Sequence, residues 1–153
     1  MSEQPRSPSL QSPTAPMASR GERLGAALLA GACLGVLIIA AWLHADSSGH
    51  GTHTQLGLSE CAWAEYFDAP CATCGMTTSF AYAADGRWMT SLAAQPFGTV
   101  LALASAVLFW GGLHVAATGS RLGAAAAPIL TGRLLTVAVA LFLTAWAYKW
   151  VVW

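Results

Sequence analysis

Charged side chains are scarce in this chain of 153 residues, where they make up 9% of the total and hydrophobic residues make up 56%. Soluble domains carry about one quarter charged residues, so a water-soluble fold of this length could not cover its own surface. The formal net charge is zero. Because there is no excess of positive charge to neutralise a phosphate backbone, nucleic acid is excluded as the main partner.

The usual catalytic signatures are also missing. The sequence contains no phosphate-binding glycine loop, no GxSxG turn and no HExxH pair. It shows no internal repeat with a period of about 20 to 50 residues, which excludes a solenoid. These absences remove the common nucleotide-binding and hydrolase classes from consideration.

Three long apolar runs are present instead, and they predict an all-α membrane protein with three transmembrane helices. The run over residues 24–43 is free of charge and, at about 1.5 Å per residue, long enough to cross a hydrocarbon core of about 30 Å. It is too long for a cleaved signal peptide, which is the competing interpretation. The second span covers 97–117, and the third covers 134–153, where Lys149 is expected to extend its charge outward to the interface.

The distribution of basic residues predicts the orientation in the cytoplasmic membrane. Five of them lie on the side of the N-terminus and two on the other: Arg6, Arg20, Arg23, Arg121 and Arg133 against Arg87 and Lys149. Positive charge favours the cytoplasmic side, so the N-terminus is predicted inside. Residues 1–23 then form a disordered, proline-containing cytoplasmic tail and residues 118–133 a cytoplasmic loop. Residues 44–96, here named the cysteine loop, are predicted outside together with the C-terminus.

Two short helices are expected in the cysteine loop, near 74–84 and 88–94. Thr73 is a suitable N-cap for the first, and both are short and apolar enough to lie along the membrane interface. Cys74 would then occupy a helix N-terminus, where the unpaired amides favour a thiolate. No periodic signal defines the structure of residues 46–59.

Three hypotheses account for the cysteines of this loop. A disulfide between two of Cys61, Cys71 and Cys74 is preferred, because bridges are the common fate of exported cysteines, although one thiol then stays unpaired. A zinc site could use the three thiolates with His50 or His53 as the fourth ligand, but a second paired motif is lacking. A thiol-disulfide redox protein could use Cys71 and Cys74 in turn, although no βαβ scaffold surrounds them.

The segment CATCGMTTSF resembles the core of a family of small bacterial membrane proteins, the domain of unknown function 2752 family, whose motif is of the CPxCGxTR type. The matching residues are Cys61, Cys71, Cys74, Gly75, Met76, Thr77, Gly86 and Pro96. Ala72, Thr78 and Gln95 depart from the motif, and the missing arginine removes a fixed positive charge near the thiols. The resemblance implies a membrane location and a shared cysteine motif without a reaction.

The sequence therefore predicts a non-enzymatic structural or partner-binding membrane protein with a disulfide-stabilised CxxC loop and no cofactor, zinc excepted. A redox protein and a zinc-binding protein are the alternatives. Ala27, Gly31 and Gly35 form a stripe of small residues in the first span that would suit packing against another membrane protein. His114 is an ionisable residue within the second span, and Cys33 is expected to be a small buried apolar residue.

Overall fold

The computed structural model describes residues 17–121 and 132–152, and all the regular structure within them is helical. The elements follow one another as α1 (Arg20–Trp42), a 3-10 helix (Thr52–Leu56), α2 (Ala62–Phe67), α3 (Met76–Ala84), α4 (Trp88–Ala94), α5 (Pro96–Thr118) and α6 (Gly132–Val152). Helices α1, α5 and α6 are long and apolar enough to cross a membrane. The chain is thus an all-α membrane protein, as predicted. Most of the predicted tail, most of the 118–133 loop and Trp153 lie outside the described residues.

Helix α1 begins earlier than the predicted span because its first turn is well capped. The backbone N–H of Ser19 donates to the Glu22 carboxylate at 2.7 Å, and the backbone N–H of Glu22 donates to the Ser19 hydroxyl at 3.2 Å. This reciprocal pair satisfies two of the amides that a helix start leaves open. Arg20 to Arg23 are therefore helical, although the sequence assigned them to the disordered tail.

The closest helix packing joins α1 to α5, which run antiparallel. A Cβ atom added at Gly112 would lie 2.8 Å from the carbonyl oxygen of Ala26 and 3.2 Å from the Cβ of Ala30, so the backbones approach closely here. The predicted small-residue stripe is on another face of α1. Among the described residues, no atom lies within 4 Å of a Cβ added at Gly31 or Gly35. Contact of the stripe with a further protein stays a prediction.

Buried hydroxyl groups join the short helices to α5. The Ser91 hydroxyl donates to the Ser79 carbonyl oxygen at 2.7 Å and lies 2.7 Å from the hydroxyl oxygen of Thr99. The hydroxyl oxygens of Thr52 and Thr78 are 2.8 Å apart, which ties the 3-10 helix to α3. All five residues are buried. Because buried polar groups must be paired, these contacts fix the angles at which the elements meet.

The C-terminal half of α6 contacts the cysteine loop. The Trp146 indole N–H donates to the carbonyl oxygen of Pro70 and the Tyr148 hydroxyl to that of Ala93, each at 3.2 Å. Lys149 was expected to reach outward, but it is only 5% exposed. Its helix face is turned toward the loop, and its positive charge acts on the Cys74 thiol. The low exposure shows that the rest of the chain covers Lys149, and the expected extension of its charge to the interface stays a prediction.

Candidate functional site

A cleft of about 880 Å³ lies between the end of α1, the cysteine loop, α2 and α3. Its apolar lining, named the apolar wall, includes Val36, Ile39, Ala40, Leu43, Met76 and Phe80. Its polar lining, named the polar rim, includes three cysteines, two histidines and three carboxylates: Cys61, Cys71, Cys74, His50, His53, Asp46, Glu60 and Glu65. The cleft therefore combines a hydrophobic surface with titratable side chains.

The apolar wall extends below the end of α1. Val36 precedes the last residue of this helix, Trp42, by six positions, which corresponds to about 9 Å along the helix axis. Val36 and Ile39 are 45% and 47% exposed, so the wall continues onto the surface of a membrane-spanning helix. Its lower part is consequently at the level of the hydrocarbon core.

The CxxC segment folds as a turn that precedes α3. The Cys74 N–H donates to the Cys71 carbonyl oxygen at 3.0 Å, and the Met76 N–H donates to the Thr73 carbonyl oxygen at 3.1 Å. Gly75 follows in the left-handed region with φ of 82°, and α3 starts at Met76. The helix predicted at 74–84 is therefore two residues shorter, and Thr73 is not its N-cap, because the turn occupies these positions.

Gly75 is the residue at which three segments meet. A Cβ atom added there would lie 2.6 Å from the carbonyl oxygen of Gly49 and 2.9 Å from that of Ala94. Both contacts are with backbone atoms, so the rotation of a side chain could not relieve the clash. Glycine is thus required for two reasons: the backbone has a positive φ, and there is no space for a Cβ atom. It directs Met76 and Thr77, the next two motif residues, into the lining of the cleft.

Pro96, the last motif residue, begins α5. It occupies the first turn, where proline lacks only an N–H that would be unpaired in any case. The buried Gln95 precedes it as N-cap and accepts a hydrogen bond from the Gly98 N–H at 2.9 Å through its side-chain oxygen. Glutamine therefore serves as the cap at one of the positions where the sequence departs from the motif.

The three loop cysteines are neighbours, with Cys71 interacting with both of the others through its side chain. All four cysteines of the chain are described and are free thiols in the structure. The backbone amide of Ala64 lowers the pKa of Cys61, and the side chain of Cys71 adds to this effect. Cys61 is therefore the thiol that ionises more easily than an ordinary cysteine.

The pKa of Cys74 is shifted in the direction opposite to the one that the sequence predicts. Burial raises its pKa to about 11, the charge of Cys71 adds to the increase, and Lys149 opposes it. The side chain is 7% exposed and lies in the turn before α3, where loss of solvent outweighs any helix-end effect. The expectation that Cys74 is the favoured thiolate is therefore wrong.

We expect alkylation of the reduced protein at pH 8 to label Cys61 well before Cys74. With a pKa near 11, Cys74 has only about one thiolate per thousand molecules at this pH. Its rate should rise about tenfold per pH unit as the pH approaches that pKa, because the reactive form is the deprotonated one. Mass spectrometry of timed maleimide reactions measures both rates. Denatured protein, in which the cysteines should react alike, is the control, and faster labelling of Cys74 would contradict the assignment.

The histidines proposed as zinc ligands lie at the cleft but are oriented by backbone groups. His50 Nδ1 is 3.2 Å from the Ser48 carbonyl oxygen, and His53 Nε2 is 3.2 Å from the Ser59 carbonyl oxygen. In the part of the chain that the structure describes, no three side chains of His, Cys, Asp or Glu are grouped so as to hold a metal ion. The geometry thus gives no support to the zinc hypothesis.

Sequence reasoning did not find the acidic side of the cleft or helix α2. Asp46, Glu60 and Glu65 line the cleft, and the Ser48 backbone N–H, which donates to the Asp46 carboxylate at 2.8 Å, lowers the pKa of Asp46. These carboxylates were visible in the composition of the loop. Their convergence was not, because it depends on the 3-10 helix and on α2, which carry no periodic pattern.

Residues 61–109 match the family model described as "Protein of unknown function (DUF2752)". The match confirms the family resemblance that the cysteine motif indicated, and it covers α2 to the middle of α5. A comparison with curated proteins gave no match, and a comparison with solved structures gave none either.

Proposed function

We propose that this chain, whose residues 61–109 match the DUF2752 family, is a non-enzymatic binding protein of the membrane in which a Cys61–Cys71 disulfide holds one side of the cleft in place. The cysteine loop is proposed to face the outside of the cytoplasmic membrane. The excess of arginine at the opposite ends of α1 and α5 favours this orientation. An oxidising compartment outside the cell membrane also permits disulfides.

The observation that carries the proposal is the lack of packing around α2. All six residues of this helix are described, and none of them is buried. Even so, Ala64 and Glu65 line the cleft. The C-terminal end of α2 is anchored, since Ala69 and Pro70 are buried. A bond from Cys61, which immediately precedes the helix, would anchor its other end.

Cys71 is the partner that we propose for Cys61. Their side chains interact, and Cys71 follows the buried Pro70, so it is attached to a fixed part of the loop. Closing a loop of this length stabilises a fold by about 2–3 kcal/mol. This differs from a bridge within the CxxC pair, because the Cys61–Cys71 bond encloses the whole of α2.

We expect digestion of the non-reduced protein to give a peptide pair linked through Cys61 and Cys71, with Cys74 recovered as a free thiol. Cys74→Ser should leave this linked pair intact. Cys61→Ser should lower the free energy of unfolding by about 2–3 kcal/mol, and reductant should then cause no further loss. Peptide mapping by mass spectrometry and unfolding in detergent with and without reductant measure these effects. A Cys71–Cys74 link, or three free thiols in protein isolated without reductant, would refute the proposal.

Thiol-disulfide exchange is the second candidate function, because Cys71 interacts with both other thiols. In such a step the Cys74 thiolate attacks the Cys71 sulfur, the Cys61–Cys71 bond breaks, and Cys61 leaves as a thiolate. The lowered pKa of Cys61 makes it a good leaving group, but the raised pKa of Cys74 makes the attacking thiolate rare. The same peptide map separates the candidates, because exchange would give both linked pairs.

A further inference from the structure

We infer that the cleft binds a membrane-dissolved amphiphile with a cationic head group and an alkyl chain. This inference rests on the proposed binding role of the cleft and assigns its ligand class. The apolar wall and the polar rim would hold the two ends of one molecule. The occupant would enter sideways from the bilayer along α1, with its head next to the cysteines.

The apolar wall indicates the alkyl chain. Val36 and Ile39 lie one turn apart on one face of α1, Leu43 follows the end of this helix, and all three line the cleft. Because Val36 is about 9 Å below the end of the helix, a ligand that fills the cleft reaches the depth of lipid chains. A purely water-soluble ligand would leave this part of the cleft unused. Phe80 and Met76 of α3 also belong to the apolar wall.

The charge of the polar rim indicates the head group. Three carboxylates, those of Asp46, Glu60 and Glu65, line the cleft, whereas no Lys or Arg is among the described residues that line it. The lowered pKa of Asp46 keeps that group ionised near neutral pH. A fatty acid or an anionic phospholipid head would be repelled by this arrangement, while an ammonium group would be attracted. Lys149 acts on the Cys74 thiol of this rim but does not line the cleft, and the three carboxylates outnumber it, so charge complementarity favours a cation.

The test uses the full chain reconstituted in phosphatidylcholine vesicles and three nitroxide-labelled probes of equal chain length: an alkyltrimethylammonium, an alkyl alcohol and a fatty acid. Electron spin resonance measures the motionally restricted fraction of each. We expect more restriction for the ammonium probe than for the other two. Val36→Trp, which fills the apolar wall, should remove the excess. Val107→Trp, at an exposed position of α5 that does not line the cleft, should leave the excess unchanged.

Removing charge from the rim tests the head group separately. Glu60→Gln combined with Glu65→Gln should weaken binding of the ammonium probe about tenfold and leave the alcohol probe unchanged. Asp68→Asn is the matched control, because Asp68 follows α2 but does not line the cleft. Equal restriction of the ammonium and fatty-acid probes would overturn the inference. So would an ammonium excess that survives Val36→Trp.

The two proposals fail separately. If the Cys61–Cys71 link forms but no probe shows an excess, the ligand class is wrong and the anchored α2 stands. If the ammonium probe binds in the expected way while Cys61 and Cys71 are free thiols, the cleft and its ligand stand and the disulfide is wrong.

Discussion

Gly75→Ala is expected to destabilise the protein by about 2–5 kcal/mol. A left-handed conformation costs a residue with a Cβ about 1–2 kcal/mol, and overpacking against fixed atoms costs about 1–3 kcal/mol more. The added Cβ meets the carbonyl oxygens of Gly49 and Ala94, so the segment before the 3-10 helix and the end of α4 must both move. Unfolding in detergent measures the loss. The cleft should be lost with it, because Gly75 itself lines the cleft.

Gly86→Ala is the matched control for this substitution. Gly86 also has a positive φ, of 73°, but in the described part of the chain no atom lies within 4 Å of an added Cβ. Its replacement should therefore lower the free energy of unfolding only by the cost of the left-handed backbone conformation, about 1–2 kcal/mol. If the two variants lost the same free energy of unfolding, the close approach of three segments at Gly75 would be refuted.

Gly112→Ala is expected to cost about 2–3 kcal/mol by separating α1 from α5. Lipid chains cover an apolar helix surface as favourably as a neighbouring helix does. The association of helices in a membrane therefore depends on the close packing of their backbones. The added Cβ would lie 2.8 Å from the Ala26 carbonyl oxygen, and overpacking of this kind costs about 1–3 kcal/mol. Unfolding of the purified variant in detergent, followed by circular dichroism, measures the effect.

Two other glycines, one in α1 and one in α5, provide controls for Gly112. Gly111→Ala and Gly31→Ala add a methyl group where no described atom lies within 4 Å. Both should leave stability unchanged or raise it by up to about 1 kcal/mol, because alanine favours a helix more than glycine does. Gly31→Ala also tests the helix face. If it were the damaging substitution and Gly112→Ala the neutral one, α1 would pack on α5 through the Ala27, Gly31 and Gly35 stripe.

The membrane-spanning helices could be predicted because length and apolar content alone define them. Which face of α1 packs on α5 could not, since α1 offers small residues on more than one side. Ala27, Gly31 and Gly35 share one face, whereas Ala30 and Cys33, which are buried, lie on another. Only the position of Gly112 on the partner helix decides between these faces. A pattern within one helix contains no such information.

The cysteines of the candidate site could be predicted from the sequence, but neither its carboxylates nor its chemistry could. The sequence identified Cys61, Cys71 and Cys74, and the structure brings them together. It also suggested that Cys74 is the activated thiol, since short-range rules place it near a helix start. Burial depends on distant parts of the chain, here including α6, whose Trp146 donates to Pro70. Desolvation therefore reversed the expected direction of the Cys74 pKa.

The buried hydroxyl contacts among the 3-10 helix, α3, α4 and α5 have a consequence for handling the protein outside the bilayer. The hydrogen bonds between Ser91, Ser79 and Thr99 lie within the protein and do not require lipid around the helices. Solubilisation exchanges the lipid around α1 and α6 for surfactant but leaves these contacts in place, since no water or surfactant reaches them. The cysteine loop should accordingly keep its shape in micelles, where the reactivity of its thiols can be measured.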